Sequence, residues 1–109
     1  MENLVFIELV RRGFVPNVTL FYQKNRDNTE VDFVTISKDK KLRLIQVSYD
    51  ISESKTKERE LKALSKSAKE LNCSELSVVN WSFSGEEEYQ GCKIKCISLL
   101  EWLRGVNEK

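Results

Sequence analysis

The sequence predicts an α/β fold: a three-layer sandwich with one mixed sheet and helices on both faces, in the core order α-β-β-β-α-β-β. Three observations carry this. Residues 15–23 and 30–36 read as strands of alternating pattern and 42–49 as a nearly continuous apolar strand; the pattern turns helical after Asp50; and a short apolar run over 76–80 follows the long helix. A right-handed crossover lays such a run parallel to an earlier strand.

The first helix is expected over 3–12, where Leu4, Val5 and Leu9 fall at helical spacing, Asn3 is placed to cap and Gly13 to stop it. Glu8 lies on or beside that apolar stripe. On its own it reads as a stripe-edge acid paired with Arg11 or Arg12. A first strand follows over 15–23, with Pro16 at its start or on an edge. The polar stretch 24–28 reads as a turn into the second strand, where Asp32 shares a face with Val34 and Ile36, while Val31 shares the other with Phe33. The third strand, 42–49, is nearly continuously apolar apart from Arg43, Gln46 and Ser48, as a strand covered on both faces should be.

In the long helix, Leu61, Leu64, Ala68 and Leu71 form one stripe, with Glu58–Lys62 and Lys66–Glu70 pairs at four-residue spacing. Ser54 or Thr56 can cap it, and Asn72 is a reasonable stop. Residues 81–91, with Glu86, Glu87 and Glu88, read as a polar, acidic loop; 93–97 is a last strand, and 99–103 a last helical turn or two ending near Gly105.

Composition sets broad limits. A chain of 109 residues, 40% hydrophobic, is one domain over 1–109 with a single core. With 18 basic against 17 acidic residues, any basic surface must come from local clustering. No apolar run approaches a membrane span, and the start at Met1, Glu2 and Asn3 lacks a signal-peptide pattern, so no membrane association and a cytoplasmic setting are expected. Cys73, Cys92 and Cys96 suit reduced structural thiols. Without histidine, Ser-His, Cys-His and imidazole-base mechanisms are excluded, and chemistry must run on carboxylates, lysines or metals.

The most informative pair is Asp32 with Gln46. If the second and third strands form a hairpin, a carboxylate and an amide meet on a largely apolar sheet, which is costly unless something compensates them. With Glu8 they form a set that resembles the PD-(D/E)xK, restriction endonuclease-like superfamily: an acid on the first helix, an Asp on the second strand and an E/Q-x-K on the third. More closely, residues 2–9 with Arg11, Arg12 and Gly13, then 30–33, 44–47, 58–61 and Trp102–Leu103, resemble the C-terminal domain of uncharacterised function found behind the ATPase domain in prokaryotic AAA-type ATPases.

That resemblance implies roles. Asp32, the side-chain oxygen of Gln46 and the carbonyl of Val47 would bind Mg²⁺ or Mn²⁺, with Glu8 helping directly or through water; Glu8, Asp32 and Gln46 would be the catalytic set of a Mg-dependent phosphodiesterase acting on DNA. The superfamily lysine, however, is Ser48 here, and losing such a contact costs about a hundredfold in rate. A nuclease-like module with weakened or absent catalysis is therefore favoured, serving an AAA-type ATPase in cis or in trans and using Arg11, Arg12, Lys24 and Arg26 for nucleic-acid phosphates or a partner surface. The alternatives are an active DNA endonuclease whose lysine comes from Lys24, Lys55 or Lys57, and a purely structural interface domain anchored by Trp81, Phe83 and Trp102. A homodimer is compatible with each.

Overall fold

The computed structural model describes residues 2–24 and 30–105. Three helices and six strands follow one another: α1 (Glu2–Arg11), β1 (Leu20–Lys24), β2 (Glu30–Ile36), β3 (Leu42–Val47), α2 (Ser54–Leu71), β4 (Glu75–Asn80), β5 (Gly85–Tyr89), β6 (Cys92–Ser98) and α3 (Leu99–Arg104). The strands form one open mixed sheet in the order β1-β2-β3-β4-β6-β5. The meander β1-β2-β3 is antiparallel; α2 crosses over to set β4 parallel to β3, and β6 lies parallel to β4 and antiparallel to β5.

Alternation along the central strands splits the core in two. Leu44, Val78 and Ile94 face α2, where they meet Leu61, Leu64 and Ala68. Ile45, Val79 and Ile97 point the other way, to Val5 and Leu9 of α1 and to Leu99 and Trp102 of α3. The α-β-β-β-α-β order is as expected, and helices cover both faces of a mixed sheet.

Four local expectations are corrected. The run 15–19 is a closed turn, and β1 begins at Leu20. The Val15 carbonyl accepts from the N–H groups of Val18, Thr19 and Leu20, Asn17 takes a left-handed φ of 64°, and the Val15 N–H donates to the Thr19 hydroxyl at 2.7 Å. With its N–H groups satisfied within the turn, this run joins the ladder only at its end, where the Thr19 carbonyl accepts from the Ile36 N–H at 2.9 Å. At the helix starts, Asn3 lies inside α1, and Glu53, rather than Ser54 or Thr56, occupies the α2 cap position without a side-chain cap bond. The expected turn over 24–28 lies outside the described residues apart from Lys24, which closes β1.

The third correction is β5, which occupies the stretch expected as an acidic loop. Its carboxylates are opposed by lysines across the hairpin, Glu86 to Lys95 and Glu88 to Lys93, and cross-strand opposite charges hold a strand that has little apolar content. Gln90 and Gly91 both take positive φ, 50° and 83°, the geometry of a two-residue hairpin turn matched to strand twist.

The fourth is an irregularity in β2. Phe21 pairs with Val34 and Gln23 with Val31, so Tyr22 alone opposes both Asp32 and Phe33. This β-bulge resets the alternation: Val31 joins Val34 on the α2 side, and Phe33 faces α1.

Leu64 is fully buried at the centre of the α2 face. Leu64→Ala is expected to cost about 2–5 kcal/mol by leaving a cavity there, read as a lowered midpoint in urea unfolding.

Candidate functional site

Asp32 lies just past the last regular pair of β2 and β3. Paired residues of β2 and β3 run from Ile36 opposite Leu42 to Phe33 opposite Ile45, and beyond that point side chains take over from the backbone ladder. The Asp32 N–H donates to Gln46 Oε1 at 2.9 Å, and the Val47 N–H donates to Asp32 Oδ2 at 2.8 Å. Each side chain thus serves a backbone group on the opposite strand. Gln46, buried and on the α2 side of β3, donates its Nε2 to Glu60 Oε1 at 2.6 Å. Glu60 is half-buried on α2, and its Oε2 lies 3.7 Å from Arg59 Nη2.

These bonds explain how polar groups sit on an apolar sheet. Carboxylate, amide oxygen and amide nitrogen each have a protein partner, and a bond to a charged group contributes about 1.5–3 kcal/mol. Asp32, Gln46 and Val47 are brought together as the sequence led one to expect. The Gln46 oxygen, expected to face a metal, is directed at a backbone N–H. Among the described residues no group of three His, Cys, Asp or Glu is placed to hold a metal ion.

Glu8 stands elsewhere. Its carboxylate accepts from Arg11 Nε and Nη2 at 2.8 and 2.7 Å and from Arg12 Nε at 2.7 Å. The Arg11 bonds, aided by Arg12 and opposed by burial, bring its pKa down to about 2. Arg12 in turn lies 4.2 Å over the Trp102 ring and donates to the Trp102 carbonyl, so one acid on α1 fastens α3 through an arginine. This cluster belongs to the α1–α3 face, whereas Gln46 points to α2.

The other singled-out residues fall as follows. Arg11 is largely exposed and bound to Glu8, and Arg12 is half-buried under its Glu8 and Trp102 contacts. Arg26 lies outside the described residues, and Lys24 is described only as the end of β1. Ser48 donates its N–H to the Val79 carbonyl at 2.9 Å, prolonging the β3–β4 pairing. Lys57 pairs with Glu87 of β5 at 2.9 Å and lies 5.4 Å from the Phe83 ring centre. Trp102 is core, while Trp81 is exposed and stacked on Tyr49 at 5.7 Å. Cys96 is buried, which pushes its thiol up to about 11, and Cys73 is raised for the same reason, so both are poor nucleophiles.

Sequence reasoning passed over Glu60 as the third member of the Asp32–Gln46 network. A signal was present: Glu60 lies four residues before Leu64, on the inward stripe of α2.

Residues 1–102 match the family model described as Domain of unknown function (DUF4143). An uncharacterized protein of Methanocaldococcus jannaschii is 47% identical over 90 residues, covering 81% of this chain and 20% of its own length. The chain therefore spans about a fifth of that relative. No solved structure matches the chain.

Two outcomes follow from the geometry. Gln46→Leu removes the acceptor facing the Asp32 N–H and the donor facing Glu60, and is expected to lower unfolding free energy by about 1–3 kcal/mol in urea. Glu8 has a lower pKa folded than its ordinary 4.5, so its contribution is complete above that value and lost as pH falls toward 2. Thermal melts through this acid range should show Tm falling more steeply in the wild type than in Glu8→Gln.

Proposed function

Because the chain belongs to the family Domain of unknown function (DUF4143), we propose that it is a nuclease-like accessory module of an AAA-type ATPase, in cis or in trans, that binds nucleic acid or a protein partner without efficient cleavage. The observation that carries this reading is the engagement of the Asp32 and Gln46 oxygens with backbone N–H groups. These residues supply architecture to the β2–β3 end. Two further points support it: Ser48 stands where the superfamily pattern places a cationic lysine, and Glu8 is neutralised by Arg11 and Arg12 on the other face. Electrostatic stabilisation of a cleaving phosphate needs positive charge aimed at the site, and Lys57 is turned to Glu87.

One observation favours the second reading, a Mg²⁺- or Mn²⁺-dependent DNA endonuclease. Glu60 places a second carboxylate beside the Asp32–Gln46 pair, restoring the negative charge that Gln46 lacks. With hard cations preferring carboxylate and carbonyl oxygens, Asp32, Glu60 and the Val47 carbonyl would be the ligands.

A thermal-melt titration with Mg²⁺ and Mn²⁺ on wild type and Asp32→Ala, run beside plasmid nicking and salt-dependent DNA binding, separates the two. The module reading expects no nicking and no metal-dependent rise in Tm. A rise in Tm that Asp32→Ala abolishes, together with nicking, would establish the endonuclease instead.

A further inference from the structure

The two edges of the sheet are treated very differently. At the β5 edge, Glu86 and Glu88 stand opposite lysines, charges of the kind that discourage another strand from adding. The β1 edge has no such guard among the described side chains: Phe21 and Tyr22 are exposed there, Tyr22 at 66%.

The apolar surface continues from β1 onto α1. Val5 and Leu9 already bury one side of that helix in the core, yet Phe6, Ile7 and Val10 on its other sides are exposed, Ile7 at 61%. A helix apolar all round belongs inside a larger structure. The two surfaces meet at a cleft of about 360 Å³ lined by Phe6, Pro16, Leu20, Phe21, Tyr22 and Phe33 together with the polar Glu2, Asn3 and Asn17, and Val18 of the turn stands 61% exposed. Together these side chains expose several hundred Å², the scale of an interaction site, against about 800 Å² per partner in a standard interface.

The M. jannaschii relative indicates the occupant. The matched segment makes up 20% of that protein, so a domain of this kind is carried beside a much larger length of chain. We propose that the corner formed by α1, the turn after it and the edge strand β1 is the docking surface for a neighbouring domain of such a longer protein. That domain presents a complementary apolar face to α1 and main-chain hydrogen bonds to the outer edge of β1 beyond Leu20, whose own N–H and carbonyl are already bound within the turn. The proposal rests on the module reading above and adds the surface through which the module is held.

Amide hydrogen exchange on two chains tests it, the 109-residue chain described above and the full-length M. jannaschii relative. The segment aligned with α2 serves as internal reference for any difference in overall stability. Relative to that reference, segments aligned with α1 and β1 should exchange about tenfold or more slowly in the longer chain than in this one. In the longer chain, glutamate at the position aligned with Ile7 should abolish that difference in β1. Equal relative protection in the two chains overturns the proposal. So does sedimentation of this chain as a dimer that Ile7→Glu together with Tyr22→Glu splits, since a second copy would then be the occupant. ATP hydrolysis by the longer relative, measured on the same preparation, reports separately on the ATPase part of the module reading.

Discussion

The exchange between Asp32 and Gln46 is the constraint on which the arrangement of this sheet rests. The regular pairing of β2 with β3 ends at Phe33 and Ile45, and backbone N–H groups beyond it must find another acceptor. Two side chains provide it, each reaching across to the other strand, and Gln46 passes the connection on to Glu60 of α2. The same bonds therefore set the twist and end of the meander and the seat of the long helix. Networks of this kind fix one arrangement because each member loses its partner if another moves.

On the other face, α1 and α3 are joined by a different device. Glu8, Arg11 and Arg12 form a compact charge cluster, and Arg12 lies on Trp102. The residues flanking each polar group are apolar and buried, Val5 and Leu9 beside Glu8, Leu44 and Ile45 beside Gln46. In both places an acid serves an amide or a guanidinium supplied by the protein itself, which supports reading them as parts of the scaffold. The sites differ in reach: one links two helices, the other links two strands to a helix.

Much of this was legible in the sequence, and what was missed shares a cause. The period of the apolar residues places α1, β2, β3, α2 and β4, and α2 stops at Asn72, which takes a left-handed φ of 52°, because that signal is local. The turn at 15–19 imitates a strand in its apolar spacing, and only the convergence of three N–H groups on one carbonyl distinguishes it. Strand β5 has no apolar alternation to read; its acids lie in register opposite the lysines of β6, a relation that composition does not display. The closeness of Asp32 and Gln46 followed from the hairpin, but the direction of the amide oxygen depends on where the β2–β3 pairing stops, at Phe33 and Ile45, and that end point leaves no mark in composition. Glu60 was hidden for the same reason, its partner lying on another element.

The parallel centre of the sheet also shapes how the chain must assemble. The meander β1-β2-β3 and the hairpin β5-β6 are built from contacts close in sequence, whereas β4 pairs with β3 only across the whole length of α2. Loop closure of that span precedes any gain from pairing. The β3–β4 pairing is thus the long-range seam between two locally connected parts of the sheet, and α2 both spans that seam in sequence and packs against strands on either side of it.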